Sequence, residues 1–122
     1  MIATGPAEDL NLTINTQPAL LTAGYAIYAA WRAAGGAEPQ IVAGHSLGEY
    51  TALVAAGALS FADALRLARE RGRLMQEAGN QASGGMLAVI GLDETLVQSV
   101  CRATGMEIAN INCPGQIAIS GP

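Results

Sequence analysis

Lysine is missing altogether: all six positive charges of this 122-residue chain are arginine, set against ten acids for a formal charge of -4. That deficit removes the basic surface on which nucleic-acid binding and adhesion to anionic lipid depend, so neither a nucleic-acid nor a membrane partner is expected. Cysteine is scarce as well. Cys101 and Cys113 are too few and too widely spaced for a zinc site or a disulfide framework, and they fit a reducing compartment, which makes the cytoplasm the expected location. No apolar run reaches membrane length; the richest stretch, Pro18 to Trp31, is interrupted by Thr22 and Gly24. The first residues lack the charged and then apolar pattern of a signal peptide. Charged residues make up only 13% and apolar ones 51%, a balance that excludes general disorder and suits a buried α/β core. One domain is expected at this length. The opening Met with an early Gly5-Pro6 break and no strand suggests part of something longer.

Local patterning predicts the elements. Pro18 suits a first helical turn, and Leu20, Gly24, Ile27 or Tyr28 and Trp31 recur at helical spacing until Gly35-Gly36 ends the pattern. Gln40-Ile41-Val42-Ala43 reads as a short buried strand feeding a glycine turn, and a helix from Leu47 to Ala56 follows at once. Ser60 with Asp63 three residues on is an N-cap pattern for a helix from Phe61 to Ala78, stopped by Gly79. Asn80 to Gly84 reads as a linker. A strand from Gly85 to Leu92, a helix capped by Asp93 and running to Thr104, and strands at Met106–Asn112 and Gln116–Ser120 around a Cys113-Pro114-Gly115 turn complete a β-α-β-β order. That order is half of a split, ferredoxin-like arrangement.

Two constellations carry chemistry. Gly44-His45-Ser46-Leu47-Gly48 is a G-x-S-x-G pattern between a predicted strand and a predicted helix, the setting in which a serine is held in a strained turn with its hydroxyl exposed. Both glycines are expected to let strand and helix backbones pass closely. Ser46 is then a candidate nucleophile, and the backbone N–H of Leu47 a candidate oxyanion donor. The bland alternative is a glycine-rich turn whose serine merely caps the helix. His45, the only histidine, adjoins Ser46, but neighbouring side chains in a tight turn diverge. It is therefore expected to be a packing residue, not a general base. The second constellation lies on the Phe61–Ala78 helix. Arg66, Arg69 and Arg73 share a charged face with Asp63, Glu70 and Glu77, whereas Arg71 falls in the middle of the apolar arc. A guanidinium there must meet an anion or lose several kcal/mol on desolvation. A substrate carboxylate on one side, and an internal ion pair with Glu49 or another acid or snorkelling to the edge on the other, are equally good readings of that placement.

With those residues in hand the chain resembles malonyl-CoA:acyl carrier protein transacylases and the acyltransferase domains of fatty acid and polyketide synthases. The likeness rests on Thr16-Gln17-Pro18-Ala19-Leu20-Leu21, Gly44-His45-Ser46-Leu47-Gly48-Glu49-Tyr50, Arg71-Gly72-Arg73-Leu74-Met75-Gln76 and Asn110-Ile111-Asn112-Cys113-Pro114-Gly115-Gln116. It implies an α/β fold: residues 1–80 as part of a parallel-sheet, hydrolase-like acyltransferase core with a nucleophile elbow, and residues 81–122 as the first half of a ferredoxin-like α+β subdomain. The implied reaction moves a malonyl group from coenzyme A, through an ester on Ser46, to the phosphopantetheine arm of acyl carrier protein in fatty acid biosynthesis. No metal and no resident cofactor are implied. Leu47 corresponds to an oxyanion donor, Arg71 to the anchor of the malonyl carboxylate, and Gln17, Met75 and Asn110 to substrate-binding residues of the pocket.

The likeness also implies what is missing. The family's glutamine-bearing segment before the first helix has no counterpart ahead of Ile14, and its catalytic histidine lies beyond the second half of the small subdomain. The chain is thus expected to be an internal fragment without its base, transferring acyl groups barely or not at all on its own. Alternatives are an acyltransferase domain of a polyketide synthase, a serine esterase or thioesterase built on the same turn, or a non-catalytic interaction piece.

Overall fold

The computed structural model describes residues 2–81 and 83–122, which form two compact units, Met1–Ala78 and Gly79–Pro122. The first unit is helical. A short helix α1 (Ala7–Leu10), absent from the sequence-based expectation, precedes the long α2 (Thr13–Ala33), α3 (Gly48–Ala55) and α4 (Phe61–Gln81). Leu21, Leu47, Val54, Ala64 and Ala68 form its core, with Tyr25, Tyr50 and Phe61 packed around them. Small residues set the helix spacing. A Cβ on Gly72 would stand 2.7 Å from the Thr13 carbonyl oxygen and 2.8 Å from the Ile14 Cα, so α4 crosses the start of α2 at backbone contact. Ala64 and Ala68, on the same face as Gly72, are likewise fully covered.

Three expectations for this unit are corrected. Helix α2 begins at Thr13, not at Pro18, which therefore lies inside the helix. The Thr16 hydroxyl donates to the Leu10 and Leu12 carbonyls, and the N–H groups of Asn15 and Thr16 bond to Leu12, so the start is fixed upstream of the proline. Residues 40–43 form no strand, and Ile41 is 87% exposed. A strand exists only with a ladder partner, and the first unit's described residues offer none, so the expected parallel sheet is not formed there. Helix α4 continues through Asn80 and Gln81, which had read as linker. Its predicted start holds: Ser60 Oγ accepts from the Asp63 N–H at 3.1 Å and donates to the Asp63 carboxylate at 2.6 Å.

The second unit carries the only sheet among the described residues, with β1 (Gly85–Ile90), α5 (Glu94–Thr104), β2 (Glu107–Cys113) and β3 (Gln116–Gly121). The strand order is β1-β3-β2 and both pairings are antiparallel, so β1 and β2 run parallel to each other with β3 between them. Registers run from Gly85 opposite Gly121 to Ile90 opposite Gln116, and from Glu107 opposite Ser120 to Cys113 opposite Gln116. Asp93 caps α5 by accepting from the Leu96 N–H at 2.9 Å. Val97 and Cys101 of α5 are buried against Ile117 and Ile119 of β3. No helix among the described residues is long and apolar enough to cross a membrane.

Candidate active site

Residues Ala43 to Tyr50 turn sharply into α3, and that turn presents Ser46. It is the only described residue other than glycine with positive φ, at 55°. Holding a serine there costs of order 1–3 kcal/mol and persists only where the surroundings impose it. They do so through Gly44: a Cβ at that position would fall 2.0 Å from the Gly48 carbonyl carbon and 2.5 Å from the Glu49 nitrogen. Only glycine fits. Gly48, by contrast, faces open space, so the close approach expected of both glycines belongs to one of them. The Gly48 N–H bonds to the His45 carbonyl and the Glu49 N–H to the Ser46 carbonyl. Among the described residues no hydrogen bond uses the Leu47 N–H, although the Leu47 side chain is locked into the core.

Across the turn stands Arg71, half-buried on α4. Its Nη2 donates to Ser46 Oγ at 2.9 Å and its Nη1 donates to Gln17 Oε1 at 2.6 Å. Gln17, from α2, is buried, and its Nε2 donates to the Met75 sulfur at 3.1 Å. Four of the expected site residues, Ser46, Arg71, Gln17 and Met75, thus meet in one connected network, and Leu47 lies beside it. They line a cleft of about 450 Å³ that also takes in Leu20, His45, Gly48 and Thr51. Leu20 and Thr51 were not singled out from the sequence; Leu20 sits one turn past Gln17 on the same helical face, which was the available signal. His45, expected to be packed, is instead exposed at the cleft, and its side chain makes no hydrogen bond to Ser46. Asn110 lies on β2 in the second unit, opposite Ala118 and exposed.

Charge decides what the cleft can hold. Among the described residues Arg71 forms no salt bridge with Glu49 or any other acid; both its partners are neutral. Two of the other three α4 arginines differ, while Arg69, also without a salt bridge among the described residues, is exposed rather than half-buried. Arg66 pairs with Asp63 at 2.6 Å, and Arg73 with Glu70 at 2.6 Å and also with Glu77. An unneutralised, partly desolvated guanidinium beside an exposed hydroxyl is a site for an anionic group whose other end meets the oxygen.

The acyl transferase domain family matches this chain across residues 1–122. The chain belongs to that family. Within it, the malonyl CoA-acyl carrier protein transacylase of Salmonella typhimurium is 52% identical over 121 residues, covering 96% of this chain and 39% of the relative. Among solved structures, the acyl-carrier-protein S-malonyltransferase of Burkholderia pseudomallei superposes with a TM-score of 0.90 at 56% identity, covering 98% of this chain and 40% of that one. A malonyl-transacylase in complex with its type II PKS acyl-carrier protein gives 0.89 at 48% identity, over 97% and 40%. The chain therefore spans about two-fifths of the length of the acyl transferases it matches.

Proposed function

We propose that this chain carries the acyl-accepting serine and the carboxylate anchor of a cytoplasmic malonyltransferase that moves malonyl from coenzyme A to acyl carrier protein in fatty acid biosynthesis. Residues 1–80 act as part of a hydrolase-like acyltransferase core with its nucleophile elbow at Ser46, and residues 81–122, which carry Asn110, as part of a ferredoxin-like subdomain. The observation that carries this reading is the neutral partnering of Arg71, which leaves its charge for a ligand carboxylate.

In the proposed reaction Ser46 Oγ attacks the thioester carbon, the carbonyl oxygen becomes an oxyanion beside the Leu47 N–H, and the C–S bond breaks to release the coenzyme A thiolate. The serine proton passes to a base other than His45, the chain's one histidine, whose side chain makes no hydrogen bond to Ser46 among the described residues. The phosphopantetheine thiol then collects the malonyl group and frees Ser46. The Arg71–Ser46 hydrogen bond is one that an incoming carboxylate would displace, since an ionised, two-oxygen acceptor binds a guanidinium more strongly than a neutral hydroxyl does. That exchange frees the nucleophile when a diacid arrives. No metal or resident cofactor enters the scheme. A relative's complex with a type II PKS acyl-carrier protein supports polyketide synthesis as a second setting for the same transfer.

Turnover by the 122 residues alone is expected to be barely detectable, so binding is the direct test. Malonyl-CoA should bind at least about tenfold more tightly than acetyl-CoA, as one charged hydrogen-bonded pair predicts. Prolonged incubation followed by peptide mass spectrometry should find a malonyl ester on Ser46 and none in Ser46→Ala. Equal affinities, or an ester on another residue, would contradict the reading.

A further inference from the structure

Gln17 is the one polar or charged side chain in the buried class among the described residues, at 5% exposure, and both ends of its amide are engaged within the protein. A guanidinium has only donors, so the atom facing Arg71 must be the amide oxygen; the NH₂ group then points at the Met75 sulfur, which can only accept. The amide is locked from two sides and offers little to a ligand. Its place is set by the crossing of α2 and α4, where Gly72, the residue after Arg71, touches the backbone of Thr13 and Ile14 one turn before Gln17. We infer that Gln17 is a positioning residue, aiming the Arg71 guanidinium into the cleft without neutralising it. The sequence likeness alone would make Gln17 a direct substrate contact.

The choice of an amide has a physical consequence. A carboxylate at this position would hold the guanidinium equally well, but it would cancel the charge a diacid needs and oppose the second negative group entering the cleft. An apolar residue would leave the charge and lose the aim. The long Arg71 side chain would then swing among rotamers and meet a bound carboxylate in the right orientation only part of the time. A neutral acceptor is the one chemical type that fixes the fork and preserves its field. This inference rests on Arg71 being the carboxylate anchor.

The test is a double-mutant cycle read as the ratio of malonyl-CoA to acetyl-CoA affinity, a quantity that general loss of fold does not move selectively. Gln17→Met should lower malonyl-CoA binding about tenfold while acetyl-CoA binding stays within about twofold, and Gln17→Glu should lower malonyl-CoA binding at least as much. In an Arg71→Ala background Gln17→Met should not change the ratio further. The inference is overturned if Gln17→Met and Gln17→Glu both retain the discrimination. It is equally overturned if Gln17→Met lowers malonyl-CoA binding by the same factor without Arg71, which would make Gln17 a direct contact. Where Gln17→Met melts the fold, Met75→Leu, which removes the sulfur acceptor but keeps the apolar cleft wall, carries the same comparison with and without Arg71. Discrimination that survives Arg71→Ala itself would remove the anchor and the brace together, a pattern distinct from the failure of Gln17 alone.

Discussion

Arg71 and Arg73 occupy the same helix two positions apart and are partnered in opposite ways. Arg73 reaches back to Glu70 and forward to Glu77, so its charge is cancelled by neighbours one turn away on α4. The hydrogen bond to Glu70, then that to Glu77, pushes the Arg73 guanidinium still further above its ordinary range, and the same bond to Arg73 holds the Glu70 carboxyl below its own. Arg71 reaches off its helix instead, to α2 on one side and to the serine turn on the other, and among the described residues finds only neutral acceptors. Arg73 and Arg66 are thus satisfied by acids one turn away, and Arg69 is left to solvent. Arg71 alone among them is half-buried at the cleft beside Ser46, which is why it is the one proposed to meet a ligand carboxylate.

The sharpest way to break this comparison is to truncate each arginine. Arg71→Ala should cost malonyl-CoA about 10- to 100-fold in affinity and leave acetyl-CoA nearly unchanged, whereas Arg73→Ala should leave both affinities as they are. Equal effects from the two variants, measured by titration calorimetry, would mean that the contrast in partners has no functional content. A second pair tests the backbone contact that brings Arg71 to its place. Gly72→Ala forces a methyl group against Thr13 and Ile14 and should destabilise the first unit by about 1–3 kcal/mol. Gly79→Ala, also in α4 but with nothing within 4 Å, should stabilise the protein by about 0.5–1 kcal/mol. Chemical denaturation of the two variants reads the difference, and a neutral Gly72→Ala would show that the crossing is looser than described.

The smallest effect is on pH dependence. Asp63 is held below its ordinary carboxyl range mainly by the Ser60 hydroxyl and then by Arg66, and Glu70 by Arg73. A carboxyl whose folded-state pKa is depressed stabilises the fold above its unfolded value, near pH 4, and that contribution fades as pH falls through the lower folded value. Ser60→Ala and Arg73→Ala should each make melting temperature slightly less sensitive to acid between about pH 5 and pH 2, with the effect kept small by solvent exposure. A steeper acid slope in either variant would reverse the sign argued for these pairs.

The two units also differ in how far their structure could be read in advance. In the second, the Asp93 cap, the Pro114-Gly115 turn and the alternation on either side of it are all short-range signals, and each expected element is found within about two residues of its place. In the first, the Ser60 cap was equally legible, but the proline misled. Pro18 reads as a helix start because its ring suits a first turn, yet hydroxyl and amide bonds to Leu10 and Leu12 begin the helix earlier. Residues 40–43 have the composition of a buried strand, and composition cannot supply a ladder partner.

The site divides in the same way. Sequence by itself determined the serine in a glycine-bounded turn at a helix start, and the arginine on the apolar side of α4, because both follow from the period and the steric demands of a few adjacent residues. Only the tertiary structure decided that Gln17, 54 positions from Arg71, is the acceptor that holds it, that Met75 fixes Gln17, and that among the described residues no acid pairs with the guanidinium. Those facts depend on a backbone crossing at Gly72 and on the left-handed turn forced by the contact at Gly44, and no local rule relates segments that far apart in the chain.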